Sequence, residues 1–165
     1  MKRTKDEVIG IAFSKLKPKN NEVFADIGCY SCKVSAFFSP YVKKVYAVDV
    51  NLSNVDGKLL KECKNIELIQ AHGVEFLETA DDVDLIFFGG TDRIEEMIKL
   101  AFNMGVSRCC ISAARMEVAV KAKKALETID VFREILAVNV WRGYNLAGYT
   151  AFRPINPVFL VFGHI

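Results

Sequence analysis

The sequence lacks the features that define several large classes of protein. Its longest clean apolar runs are short, as in Val158–Phe162, and none approaches the ~20 apolar residues that a membrane-spanning helix needs. The first residues of the chain are too polar for a signal peptide. A formal net charge of only +2, from 22 basic and 20 acidic residues, provides no general attraction to polyanions, and basic residues near the N-terminus such as Arg3 and Lys5 are expected to be solvated. We therefore expect a cytoplasmic protein without a membrane partner, and nucleic acid is a disfavoured ligand.

Histidine is scarce, and the cysteines follow neither a metal pattern nor a disulfide pattern. His72 and His164 are the only histidines and no second Cys-x-x-Cys pair exists, so no structural zinc site is expected. The five cysteines are an odd number, and the adjacent Cys109 and Cys110 lie in an apolar stretch, as reduced core thiols do. No Gly/Ser-rich or Pro-rich linker interrupts the 165 residues, which predicts a single domain over residues 1–165.

The sequence does contain a regular alternation of strand and helix patterns. Apolar runs predict strands at residues 22–27, 44–48, 66–69, 83–88 and 108–112. Helical spacing predicts helices after a capping box formed by Thr4 and Glu7, and over residues 33–38, 54–63, 94–102 and 118–129. Residues 134–144 and 157–163 predict two further strands with no amphipathic helix between them, which indicates an antiparallel pair.

Five strand–helix alternations predict an α/β protein, with a doubly wound, mostly parallel seven-stranded sheet and an antiparallel C-terminal strand pair at one edge. This pattern resembles the outline of a class I, Rossmann-like methyltransferase domain. Ligands of such open sheets bind beyond the carboxyl ends of the strands, where the strand order reverses. The ends of the predicted strands are therefore where functional residues are expected.

Acidic and glycine residues stand at three of these strand ends. Asp49 follows the second strand, 23 residues after Asp26, and a carboxylate there can accept hydrogen bonds from both ribose hydroxyls of a nucleoside cofactor. Gly28 follows the first strand, where a cofactor packed against the turn favours residues without a Cβ atom. Gly89–Gly90 closes the fourth strand and would let a ligand approach the backbone, while Thr91 can also cap the next helix.

A Cys-x-x-Cys pair in the first turn offers a different interpretation. Cys29 and Cys32 lie between a strand and a helix N-terminus, where thioredoxin-like proteins keep their redox pair and the helix dipole lowers a thiol pKa. The long helix before the strand, and the absence of a Trp beside the pair, disfavour this redox function.

The chain resembles, nearly end to end, the archaeal-type cobalt-precorrin-6B C15-methyltransferases (decarboxylating) of cobalamin biosynthesis. The matching segments are Thr4–Val8, Asp26–Cys29, Lys44–Asp49, Phe88–Thr91, Asn139–Gly143 and Asn156–Val158. The resemblance implies transfer of the S-adenosylmethionine methyl group to a corrinoid ring carbon, with loss of CO₂ from an acetate side chain. It also implies a homotetramer, for which the apolar C-terminal strands would suit the interface.

Site residues follow from the same resemblance. The cofactor is expected to contact Asp26, Gly28, Cys29 and Tyr30 in the first turn, Asp49 at the ribose, His72 and Gly73 at the adenine, and Gly89. The catalytic residues are expected to be Gly90 and Thr91, near the transferring methyl group, and Arg142, whose guanidinium can pair with a substrate carboxylate. Alignment of the reacting atoms can supply most of the rate enhancement, so no strong base is required.

Two departures from the family pattern keep alternatives open. Tyr30 and Cys32 stand where the family's Gly-x-Gly-x-Gly turn has its later glycines, and Tyr149 stands where family members tend to have glycine. Both changes add bulk where small residues admit ligands. The alternatives are a diverged, non-catalytic relative that keeps the fold, or a methyltransferase that acts on another small molecule or on RNA.

Overall fold

The computed structural model describes residues 3–165; Met1 and Lys2, the first two residues of the predicted domain, lie outside the described residues. The strands are β1 Val23–Ile27, β2 Lys44–Asp49, β3 Ile66–Gln70, β4 Leu85–Phe88, β5 Arg108–Ala113, β6 Phe132–Leu146 and β7 Tyr149–His164. The helices are α1 Asp6–Leu16, α2 Lys33–Phe38, α3 Gly57–Leu60, α4 Gly73–Thr79, α5 Ile94–Asn103 and α6 Met116–Thr128, with 3₁₀ turns at Ser39–Tyr41 and Leu52–Asn54.

The seven strands form one sheet in the order β3-β2-β1-β4-β5-β7-β6. Strands β1 to β5 are parallel, whereas β7 runs antiparallel to both β5 and β6, which confirms the predicted mixed sheet. Helices α4, α5 and α6 pack on one face of the sheet, and α1 and α2 pack on the other. Because chain order reverses between β1 and β4, the carboxyl ends of these two central strands flank the crevice in which doubly wound sheets bind ligands.

The predicted capping box at the start of α1 does not form. Lys5 occupies the N-cap position, and its side chain makes no cap hydrogen bond. The carboxylate of Glu7 instead pairs with Arg142 of β6, with 2.7 Å between Oε1 and Nη2. A contact to a distant strand has therefore replaced the local cap that the sequence pattern predicts.

The helix predicted over residues 54–63 is much shorter than predicted. Asp56 caps the backbone N–H of Lys58, and the helix that follows, α3, is a single turn with no buried residue. A short helix with no apolar face against the core has little to stabilise it. A long loop therefore connects β2 to β3, next to the crevice.

The C-terminal strands are longer than predicted and form a hairpin. Strands β6 and β7 have 15 and 16 residues, and they meet at a turn in which Ala147 and Gly148 both have positive φ angles. The far half of this hairpin extends beyond the rest of the sheet, because β7 pairs with β5 only from Phe159 to His164. Among residues 3–165, no helix is both long enough and apolar enough to span a membrane.

Candidate functional site

Two adjoining cavities lie at the carboxyl ends of β1, β2 and β4. The Asp49 cavity, of about 410 Å³, is lined by Ile27, Gly28, Tyr30, Val48, Asp49, Val50, Asn54, Ala71, His72, Gly73, Gly90, Thr91, Asp92 and Met97. The Asp26 cavity, of about 580 Å³, is lined by Arg3, Thr4, Lys5, Val8, Asp26, Gly28, Cys29, Tyr30, Ser31, Lys33, Val34, Gly89, Ser112, Ala114 and residues 154–158. Ten of the eleven predicted site residues therefore line one or both cavities; Arg142 is the exception.

The turn after β1 keeps a glycine-type backbone even where glycine is missing. The φ angles of Gly28, Tyr30 and Cys32 are +80°, +48° and +60°, so every second residue is in the left-handed region. A residue with a Cβ atom occupies that region at a cost of roughly 1–2 kcal/mol. The turn thus has a backbone that favours glycine at all three positions, with side chains at two of them, and both cavities remain open beside Tyr30.

Gly28, Gly89 and Gly90 pack directly on one another. A Cβ atom on Gly28 would lie 2.2 Å from the backbone nitrogen of Gly90, and a Cβ atom on Gly89 would lie 3.0 Å from the carbonyl oxygen of Gly28. The backbone N–H groups of Gly89 and Gly90 both donate to the carbonyl oxygen of Ile27. The glycine pair therefore has a packing role between the β1 and β4 ends, in addition to the predicted ligand contact.

Asp49 is held in place by the backbone of the two loops beside it. Its Oδ2 accepts a hydrogen bond from the N–H of Tyr30 at 2.9 Å, and its Oδ1 accepts one from the N–H of Asn51 at 3.0 Å. Each carboxylate oxygen has a second lone pair, so the group can still accept hydrogen bonds from a ligand in the cavity.

His72 and Gly73 border the Asp49 cavity for a structural reason that the sequence interpretation missed. They begin α4, a helix that was not predicted, because its capping box has His72 where the usual sequence signature has Ser or Thr. Nδ1 of His72 accepts the N–H of Val74 at 3.1 Å, and Nε2 lies 3.2 Å from Oδ2 of Asp92. A Cβ atom on Gly73 would lie 2.5 Å from Sδ of Met97 and 2.6 Å from Cγ2 of Ile27, so a larger residue there would force these buried side chains to shift.

Asp26 is a buried carboxylate with one oxygen left without a partner. Its Oδ2 accepts hydrogen bonds from the N–H and the hydroxyl of Ser35, at 3.0 and 2.6 Å, whereas its Oδ1 has no partner. Burial raises the pKa of Asp26 to about 7, against the lowering effect of the two Ser35 hydrogen bonds. Oδ1 has almost no accessible surface, so the ionised carboxylate would have neither a hydrogen bond nor contact with solvent at that oxygen.

The cysteine pair of the turn is buried and reduced. The Sγ atoms of Cys29 and Cys32 are 3.6 Å apart and form a hydrogen bond, and both residues are free thiols. The hydrogen bond and burial raise the pKa of the Cys29 thiol, whereas the same hydrogen bond lowers the pKa of the Cys32 thiol. Cys109 and Cys110 are buried free thiols as predicted, and burial raises the pKa of Cys109 to about 12. Within residues 3–165, no three His, Cys, Asp or Glu side chains form a cluster that could hold a metal ion.

The basic residues are arranged differently from the prediction. Arg142 pairs with Glu7 outside both cavities, whereas Arg3 and Lys5, expected to be solvated, line the Asp26 cavity together with Lys33. The charged group of each of these three residues has a polar partner within the protein. Arg3 pairs with Asp56, Lys33 pairs with Asp6, and Lys5 donates a hydrogen bond to a backbone carbonyl. The N-terminal segment thus brings positive charge to the cavity mouth.

Known structures share this architecture along the whole chain. Precorrin 8w decarboxylase from Methanobacterium thermoautotrophicum matches with a TM-score of 0.91 at 24% identity, covering 100% of this chain and 93% of that one. Precorrin-6y C5,15-methyltransferase from Geobacter metallireducens matches with a TM-score of 0.89 at 28% identity, covering 99% and 91%. The sheet order and the crevice with its acidic strand ends define a class I methyltransferase fold.

Sequence relatives specify the family within this class. The chain is 47% identical over 162 residues to the Archaeoglobus fulgidus protein named probable cobalt-precorrin-6B C(15)-methyltransferase (decarboxylating), covering 98% of this chain and 97% of the relative. It is 30% identical over 172 residues to the Methanosarcina mazei protein of the same name, covering 97% and 92%. No family model matches the sequence. The chain belongs to the cobalt-precorrin-6B C15-methyltransferase (decarboxylating) family, as the sequence resemblance predicted.

Proposed function

We propose that this protein transfers the methyl group of S-adenosylmethionine to a corrinoid ring carbon and removes an acetate carboxyl group as CO₂, in cobalamin biosynthesis. The observation that carries the proposal is the pair of adjoining cavities, one with the Asp49 carboxylate and the other with the unpartnered oxygen of Asp26. Membership of a family whose relatives have this activity in their names supports the same reaction.

The cofactor requirements match the residues present. Both cavities fall within the range of roughly 300–1,000 Å³ that is typical of small-molecule sites. The Asp49 carboxylate has lone pairs for two ribose hydroxyls, and His72 and Gly73 would border the adenine. The ammonium group of the cofactor would pair with Oδ1 of Asp26. When bound, S-adenosylmethionine supplies an electrophilic methyl group.

The Asp26 cavity has the chemistry to receive the substrate beside the amino-acid end of the cofactor. A corrinoid precursor has a broad apolar ring edge with carboxylate side chains, and this cavity combines the apolar wall of residues 154–158 with Arg3, Lys5 and Lys33. Gly89 lines this cavity, while Gly90 and Thr91 line the other, so the three residues flank the region between cofactor and substrate. Arg142 stays a prediction as a carboxylate partner, because its guanidinium contacts Glu7 outside both cavities.

Calorimetry with S-adenosylhomocysteine tests the proposal directly. We expect the wild type to bind the ligand. The affinity of Asp49→Ala should be lower than that of the wild type by about 10-fold or more, since two hydrogen bonds to an ionised carboxylate are lost. Asp82→Ala removes an exposed carboxylate outside both cavities and should leave the affinity unchanged. Absence of binding at millimolar ligand would contradict the proposal and favour a non-catalytic relative. If the protein binds the ligand but transfers no methyl group to cobalt-precorrin-6B, the assignment of the cofactor site would stand and the proposed substrate would be wrong.

We further propose that the protein is a homo-oligomer, with a tetramer implied by the family resemblance, and that the β6–β7 hairpin forms the interface. Its far half exposes large apolar side chains, with 61% of Trp141, 79% of Tyr149 and 62% of Phe152 accessible to solvent. Apolar surface of this kind on one extended arm is typical of protein–protein contact sites.

Sedimentation measurements with Phe152→Asp test this interface. We expect the variant to have a lower mass than the wild type, because a charge would be buried in an apolar contact. Met116→Asp is the matched control, since Met116 is also half exposed but lies at the start of α6, away from the hairpin. A wild type that is monomeric at micromolar concentration, or a control that dissociates equally, would contradict the proposed interface.

A further inference from the structure

Tyr30 stands at the junction of the two cavities. Gly28 and Tyr30 are the two residues that line both the Asp49 cavity and the Asp26 cavity. Among the described residues that line either cavity, Tyr30 is also the only Phe, Tyr or Trp. Its aromatic ring is therefore an isolated feature of a site whose other walls are aliphatic, polar or glycine.

The backbone of Tyr30 is fixed on both sides. Its N–H donates to Oδ2 of Asp49 at 2.9 Å, and the next residues are closed into a turn by the hydrogen bond from the N–H of Cys32 to the carbonyl oxygen of Cys29. The residue is held at a φ angle of +48°, and its side chain is half buried. The side chain therefore starts from a defined point between the two cavities.

The order in which the groups of S-adenosylmethionine are bonded determines which of them lies at the junction of the two cavities. Under the proposed function, on which this inference rests, the ribose contacts Asp49 in one cavity and the ammonium group contacts Asp26 in the other. The sulfonium stands between these two groups in the molecule, so it crosses from one cavity to the other beside Gly28 and Tyr30. Gly28 has no side chain to offer, which leaves the phenol ring of Tyr30.

We infer that the ring of Tyr30 is a positioning residue that contacts the sulfonium through a cation–π interaction. An aromatic face attracts a cation through its quadrupole, whereas a neutral thioether has only the weaker sulfur–aromatic contact. The contact would therefore strengthen binding of the charged methyl donor, and it would weaken once the methyl group has left. Tyr30 would thus favour exchange of product for fresh cofactor, a property that a glycine at this position cannot provide.

Calorimetric dissociation constants for two ligands and three variants test the inference. S-adenosylmethionine carries the sulfonium charge, and S-adenosylhomocysteine is the same framework without it. Tyr30→Phe keeps the ring, Tyr30→Leu keeps a bulky side chain at the same positive φ angle, and Tyr30→Gly removes the side chain and relieves the backbone strain. We expect the Phe variant to keep the wild-type ratio of the two constants, and the Leu and Gly variants to lose affinity for S-adenosylmethionine by about 3- to 10-fold more than for S-adenosylhomocysteine.

The outcomes separate this inference from the function on which it rests. Equal weakening of both ligands in the Leu and Gly variants would overturn the inference, because the ring would then act only as a wall. Tighter binding of both ligands would also overturn it, because the ring would then be an obstruction. If the wild type binds neither ligand, the proposed function fails as well. If the Leu variant does not fold, the Gly variant still allows the two dissociation constants to be compared in a protein without the ring.

Discussion

Gly28→Ala is expected to lower the free energy of unfolding by about 3 kcal/mol, the largest effect on stability that we predict for a single methyl group in this protein. The added Cβ atom would lie 2.2 Å from the backbone nitrogen and 2.6 Å from the Cα atom of Gly90. Backbone cannot rotate away as a flexible side chain can, so the β1 and β4 ends must separate. The φ angle of +80° at Gly28 adds to the strain for any residue with a Cβ atom.

Urea denaturation measures this effect, with Gly10→Ala as the matched control. Gly10 lies inside α1 and is exposed, and apart from its chain neighbours and the backbone of its own helix no atom lies within 4 Å of the position of an added Cβ atom. Alanine there should raise the free energy of unfolding by about 0.5–1 kcal/mol, because it restricts the unfolded chain and favours the helix. A Gly28→Ala variant as stable as the wild type would show that the β1 and β4 loops do not pack as described.

Asp26→Asn is expected to change how both stability and cofactor binding depend on pH. Because burial raises the pKa of Asp26 from 3.8 to about 7, the folded protein keeps a proton there that the unfolded chain has released. The contribution of this group to the free energy of unfolding is therefore largest below about pH 4, falls as the pH rises toward 7, and is level above that. A shift of this size corresponds to a change on the order of 4 kcal/mol.

The asparagine variant isolates this contribution. Its side-chain oxygen can still accept both hydrogen bonds from Ser35, but it has no proton to lose. Unfolding measurements between pH 4 and pH 8 should therefore show a smaller decrease for the variant than for the wild type. Asp56→Asn serves as the control, because Asp56 is only partly buried and its pKa is lowered by the N–H of Lys58 and by Arg3. Parallel curves for the wild type and Asp26→Asn would contradict the raised pKa.

The affinity for the cofactor should also depend on the titration of Asp26, but it should increase as the pH rises toward 7, whereas stability decreases. The ammonium group pairs with the ionised carboxylate, so wild-type affinity for S-adenosylhomocysteine should fall up to about 10-fold for each pH unit below 7 and remain constant above it. Asp26→Asn should bind about 10-fold or more weakly at pH 8 and lose this dependence. An Asn variant with wild-type affinity at pH 8 would remove Asp26 from the proposed cofactor site.

Much of the fold was predictable because its signals are local. The stripe of Ile94, Met97, Ile98 and Ala101 predicted α5, and these four residues are buried against the sheet. The capping box predicted at Thr4 was wrong and the helix predicted over residues 54–63 was too long, each for a tertiary reason. In the first case an ion pair to a distant strand took the place of a local hydrogen bond, and in the second the segment found no apolar surface to bury.

The candidate site was predictable only as far as it depends on strand ends. Asp49 and Gly28 end parallel neighbouring strands, and that topology alone brings them to the same crevice. The cations of the Asp26 cavity were not predictable, because Lys5 reaches the cavity by donating to the backbone carbonyl of Asn156, 151 residues further along the chain. No pattern within either segment indicates that contact.

The amino-acid order by itself determined the alternating elements, the mixed sheet and the acidic strand ends, since hydrophobic periodicity and chain connectivity are properties of neighbouring residues. Only the tertiary structure decided that the turn keeps its left-handed backbone with Tyr30 and Cys32 in it, and that one oxygen of Asp26 is buried without a partner. Strain and desolvation depend on what surrounds a residue in space, and long-range packing creates those surroundings.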